Sequence, residues 1–120
     1  MEDTMKLLTK EIRNSMPKIN STDGDMDATV QVKFFTPMSN WTWWAFEGEP
    51  ILNEGGVEVD YYFYGLVSGF ETEWGTWSLN EMESVGGAIE RDRYYQPETK
   101  RDLLERVWPD FLSFINRERA

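Results

Sequence analysis

Val57-Glu58-Val59-Asp60-Tyr61-Tyr62-Phe63-Tyr64-Gly65-Leu66-Val67 is the longest strand candidate in the sequence, a run dominated by β-branched and aromatic side chains. Asn53-Glu54-Gly55-Gly56 punctuates the chain before it, and Gly69 bends or ends it. Upstream, Trp41 to Glu47 is again rich in Trp, Thr and Phe. Gly48-Glu49-Pro50 ends that second strand, because Gly relaxes the backbone and Pro removes a ladder donor. Further upstream, Val30, Val32 and Phe34 alternate with Gln31, Lys33 and Phe35 as a strand, and Pro37 with Ser39-Asn40 supplies the turn after it. Downstream, Phe70 to Trp77 gives a fourth strand, with Gly75 as a turn or bulge.

Helical spacing flanks these strands. Met5, Leu8, Ile12 and Met16 recur at intervals of three and four over residues 4–16, and Pro17 stops the helix. Residues 20–28 concentrate turn formers and read as a solvated loop. Ser78-Leu79-Asn80-Glu81 fits a capping box opening a short helix to about Val85, with Gly86-Gly87 ending it. Ile89 to Tyr95 is extended, as a strand or a connector. Pro97-Glu98-Thr99 opens the final helical region, whose stripe of Leu103, Leu104, Val107, Phe111, Leu112 and Ile115 is divided by Pro109. The expectation is one α+β domain over residues 1–120, an antiparallel meander of about four strands with the N-terminal and C-terminal helices packed on one face.

The chain contains neither Cys nor His, which removes structural zinc, thiol nucleophiles, disulfides and any imidazole base. The net charge of -10 has the wrong sign for gripping a phosphate backbone directly. No apolar run approaches the ~20 residues that span a bilayer, and the acidic start Met1-Glu2-Asp3 is unlike a signal peptide. A cytoplasmic protein with no direct nucleic-acid or membrane contact is expected.

The charge is segregated. Residues 1–33 and 91–120 nearly balance, whereas residues 34–90 contain no Lys or Arg and ten acids. Those are Glu47, Glu49, Glu54, Glu58, Asp60, Glu71, Glu73, Glu81, Glu83 and Glu90, in the same segment as Trp41, Trp43, Trp44, Trp74 and Trp77. Two readings compete. Carboxylates on a curved sheet can imitate duplex phosphates and fill the basic groove of a nucleic-acid-binding protein, with exposed aromatics as anchors. Alternatively, the aromatics are core and the acids keep one sheet face wet and its edges unsticky. The missing cations favour the first, since solvated surfaces normally mix both signs. The expected partner-binding set is Glu47, Glu49, Glu54, Glu58, Asp60, Glu71, Glu73, Glu81 and Glu83, with Trp41 and Trp74, and no cofactor. A second chemistry uses clustered carboxylates to hold Mg2+ or Mn2+ for phosphodiester hydrolysis, with Glu71, Glu73 and Glu90 as ligands. Glu90-Arg91-Asp92-Arg93 alternates in sign, and an ion-pair network tying it to the sheet or last helix is favoured over an anion site.

Several stretches together resemble a known family. They are Leu7-Leu8-Thr9-Lys10-Glu11, Lys33-Phe34-Phe35-Thr36-Pro37 and Ser39-Asn40-Trp41-Thr42-Trp43, then Tyr64-Gly65-Leu66-Val67 and Gly69-Phe70-Glu71-Thr72-Glu73, then Ile89-Glu90-Arg91-Asp92 with an aromatic pair before Pro97. In this order they are similar to the domain of unknown function 2958 family. That resemblance implies a setting among bacterial, plasmid and phage genes, often on mobile elements. Trp74 and Trp77 depart from the smaller or Tyr-like residues of the family pattern, and residues 48–58 are lengthened. The expected function is inhibition of a nucleic-acid-handling defence enzyme, of CRISPR effector or restriction type, by nucleic-acid mimicry or channel blocking. The alternatives are the metal-dependent nuclease and a non-catalytic interaction module of plasmid maintenance.

Overall fold

The computed structural model describes residues 6–119. Among them, β1 (Val32–Phe35), β2 (Thr42–Leu52), β3 (Glu58–Ser68), β4 (Thr72–Ser78) and β5 (Glu90–Arg91) form one antiparallel sheet in the order β4-β3-β2-β1-β5. The helices are α1 (Lys10–Ser15), α2 (Leu79–Glu83), α3 (Lys100–Val107) and α4 (Pro109–Arg119). The α+β class holds, with five strands in place of about four, because the extended segment after Ile89 pairs briefly with β1. Asp92 secures that pairing through its amide to the Lys33 carbonyl and its carboxylate to the Lys33 ammonium at 3.5 Å.

The central strand β3 explains the layering. Tyr61 and Phe63 point to one face with Phe34, Trp77 and Met82, under Leu7, Leu8, Ile12 of α1 and its C-cap Met16. Leu66 points to the other face with Val30, Trp44 and Phe46, under Leu103 and Leu104 of α3. The helices therefore flank the sheet on both faces, which corrects the one-face expectation. Tyr61 to Val67 is nearly continuous in bulky residues, the pattern of a strand buried on both sides. Gly65 is required in that run, since a Cβ there would lie 1.9 Å from the Trp44 carbonyl oxygen.

Local signals set the helix ends. Ser78 and Glu81 form the expected capping box at α2. Thr99 caps α3, its side chain accepting from the Asp102 amide, and α3 stops at Val107 before Pro109 opens α4. The first helix is shorter than expected: Thr9 caps it and it runs only from Lys10 to Ser15, while Met5 lies outside the described residues.

Strand β2 does not stop at Gly48. The Gly48 amide donates to the Pro17 carbonyl at 2.9 Å, on the side away from β3. Amides two residues apart in a strand point the same way, so the Pro50 nitrogen also faces the side where β1 has ended, and no ladder bond is lost. The β2–β3 ladder thus continues through Pro50 opposite Tyr61 to a turn in which the Asn53 side chain accepts from the amides of Gly55 and Val57.

The register of β2 also contains a bulge between Ala45 and Glu47. Trp44 and Phe46 lie on the α3 face, and the extra residue brings Glu47 to that face too, opposite Tyr64.

Candidate functional site

The acids of the cation-free segment fall into two groups. Glu47 is 1% exposed, turned inward by the bulge. Its carboxylate accepts from the Asn20 amide at 2.7 Å, the Thr22 amide at 2.9 Å and the Thr22 hydroxyl, so it anchors the 18–24 loop. Lys100, also buried, donates to the Thr22 carbonyl at 3.1 Å from below, with its ammonium near the Phe46 and Trp74 rings. Burial pushes the Lys100 ammonium below its ordinary range, against the opposing pull of Glu47, Asp23 and Asp25. Glu47 is therefore removed from the partner-binding set.

Three further acids are engaged within the chain. Glu49 accepts from the Ile19 amide at 3.1 Å. Glu58 pairs with Arg13, whose guanidinium also lies over the Tyr61 ring at 4.9 Å. Asp60 accepts from the amides of Tyr61 at 2.7 Å and Asn80 at 3.0 Å, fastening the start of α2 to β3. Desolvation raises the Asp60 pKa, but the hydrogen bonds from Asn80, Tyr61 and Ser78 together outweigh it and hold the carboxyl below its usual range.

The second group follows β4, an edge strand of the sheet. Glu71 in the turn before it, Glu73 on it, and Glu81 and Glu83 on α2 immediately after it are all exposed. None of these four makes an ion pair among the described residues, and Glu81 is engaged only in its capping box. Glu54, at the β2–β3 turn, is likewise exposed but stands apart from them. Five strand residues, 74–78, and the first two residues of α2 separate the two pairs, so the carboxylates are spread over about 20 Å.

Aromatic residues mark one end of this edge. The 36–41 turn between β1 and β2 and the 69–71 turn between β3 and β4 lie at the same end of the sheet, since Thr42 pairs with Ser68 and Ser68 with Thr72. Trp41 stacks on Trp43 with ring centroids 5.9 Å apart and meets Phe70 edge-on at 5.4 Å. Phe70 is 94% exposed and Met38 97% exposed. The sequence pattern places Phe70 inside the fourth strand. It lies instead in the preceding turn, and Gly69-Phe70 after a long strand is the signal that marks it. Trp74 lies on the opposite face, stacked on Tyr64 at 6.0 Å and meeting Phe111 of α4 at 6.0 Å. It is packed under the last helix and does not join Trp41.

The proposed metal ligands are not brought together. Glu73 lies on β4 and Glu90 on β5, at opposite edges of the sheet, about 19 Å apart across four strand spacings. Among the described residues no group of three or more carboxylates is placed to hold a metal ion. No helix among them is long and apolar enough to cross a membrane.

A single antiparallel sheet with helices on both faces, and exposed acids on and around one edge strand, defines an α+β protein, and no metal site is assembled among the described residues. Residues 7–103 match the family described as "Protein of unknown function (DUF2958)", and the chain belongs to that family. Comparison with curated proteins and with solved structures gives no match.

Proposed function

We propose that the protein is an acidic inhibitor of a bacterial nucleic-acid-handling defence enzyme, of CRISPR effector or restriction type, acting in a mobile-element or phage setting. Its β4 edge and α2 occupy the enzyme's basic nucleic-acid channel. One observation carries this reading: Glu71, Glu73, Glu81 and Glu83 stand exposed on β4, its preceding turn and α2, without ion pairs among the described residues, in a segment that has no Lys or Arg. A spread of about 20 Å matches the rise of roughly six nucleotides along one strand of a duplex. Binding of this kind is driven by charge complementarity and weakens as salt screens it.

The test uses the full chain as bait in bacterial lysate treated with nuclease, across a salt series. Wild type is compared with a variant carrying Glu71→Lys, Glu73→Lys, Glu81→Gln and Glu83→Lys. Gln at position 81 preserves the capping box. A basic nucleic-acid-handling enzyme retained at low salt, released by DNA or high salt and lost with the variant is the expected result. Equal retention of that enzyme by the variant overturns the proposal.

A further inference from the structure

The aromatic corner at the end of β4 adds a chemical specificity that charge alone does not provide. Phe70 exposes 94% of its surface, a large solvent-facing area for a residue of its size. It is not loosely placed: its ring meets that of Trp41 at 80°, and Trp41 in turn is stacked on Trp43. Gly69 completes the seat. A Cβ at that position would come within 2.3 Å of the Trp41 ring, so only glycine lets the 69–71 turn close against the indole. The Gly69 amide, donating to the Glu71 carbonyl at 2.9 Å, fixes the turn from which Phe70 and Glu71 project.

Two exposed acids come from the same end of the sheet as this corner. Glu71 follows Phe70 directly. Glu73 lies opposite Val67, and Val67 opposite Trp43, so Glu73 and Trp43 share a row on one face of the sheet. Neither Glu71 nor Glu73 is consumed by an internal ion pair among the described residues. Two nearly perpendicular rings, with one exposed acid next in the turn and another across Val67 on the same face, suit a planar cation. A guanidinium can lie on an aromatic face while its edge donates to a carboxylate, whereas an ammonium is a compact, strongly hydrated point charge. Met38, projecting from the adjacent turn and 97% exposed, adds an apolar rim for the methylene stem of such a side chain.

We propose that the Trp41–Phe70 corner with Glu71 and Glu73 is a receptor for an arginine side chain of the partner, and that this surface selects arginine over lysine. The proposal rests on the acidic-binding reading above and specifies the chemistry of the partner that docks there. The partner segment is basic and arginine-bearing, as the walls of a phosphate-binding channel are.

The experiment titrates the full chain with hexa-arginine and with hexalysine, peptides of equal length and side-chain charge, while following affinity and the Trp41 indole resonance. Hexa-arginine is expected to bind about threefold to fivefold more tightly and to move the Trp41 signal. Phe70→Ala, at a solvent-exposed position that leaves the core intact, abolishes that preference while leaving hexalysine binding unchanged. Glu73→Gln weakens both peptides. Equal affinities for the two peptides, or a preference that survives Phe70→Ala, overturn the proposal. The two readings fail separately. A retained arginine preference with no defence enzyme captured sinks the inhibitor reading alone. Capture that needs Glu81 and Glu83 but is indifferent to Phe70→Ala and Glu73→Gln sinks the arginine receptor alone.

Discussion

The acids on strands β2 and β3 and those around the β4 edge are written in the same way in the sequence, yet they behave in opposite ways. Glu47, Glu49, Glu58 and Asp60 each serve a neighbour inside the chain: a loop amide, a guanidinium or a helix start. Glu71, Glu73 and Glu83 serve none among the described residues, and Glu81 uses its carboxylate only to cap its own helix. What separates the groups is what the surrounding backbone offers. The hairpin runs beside the 17–22 segment, α1 and the start of α2, which present free amides and Arg13, whereas β4 is an edge with no strand beyond it among the described residues. A carboxylate becomes structural where orphan donors lie within reach and remains free for a partner where none do.

Substitutions that probe this division should differ widely in effect. Glu47→Ala removes the acceptor of two backbone amides and one hydroxyl in a buried site, and is expected to cost about 3 kcal/mol in urea denaturation. A loss under 1 kcal/mol would erase the distinction. Gly69→Ala forces the Trp41 ring from its seat, with an expected cost of about 2 kcal/mol and loss of arginine preference in the peptide titration.

A smaller effect is carried by pH. Asp60 has a folded pKa below its unfolded one, so the folded state binds the proton less readily. Its contribution is fully present above the ordinary Asp range and is lost as pH falls through the depressed value. Asp60→Asn should flatten the acid limb of a stability–pH profile. The smallest effect belongs to the double substitution of Glu71→Gln with Glu73→Gln. Thermal unfolding should place it within about 0.5 kcal/mol of wild type, because neither carboxylate has a partner among the described residues.

What the sequence reveals and what it hides follow the range of the interactions. The α2 capping box, the Thr99 cap and the break at Pro109 are legible because each is decided within a few residues. The two-sided burial of β3 was also available, in the bulky run from Tyr61 to Val67, but the helices' allegiance to separate faces depends on contacts from both ends of the chain. Pro50 reads as a terminator until Pro17 is seen to take the outward amide of Gly48, which shows that its own nitrogen faces away from the ladder. Glu47 reads as a surface acid because the bulge at Phe46, which reverses its side, leaves no local mark. The candidate surface was legible as charge segregation in residues 34–90. Its boundaries were not, since Trp74 and Glu47 turn inward and Phe70 turns outward through tertiary packing.

The most direct test of the central claim is DNA cleavage by the captured enzyme, measured with increasing protein. The account predicts inhibition that saturates near one protein per enzyme, is relieved by excess DNA, and disappears when Glu71, Glu73 and Glu83 are changed to Lys together with Glu81→Gln. Cleavage that is unaffected by wild type, or inhibited equally by the variant, would contradict it.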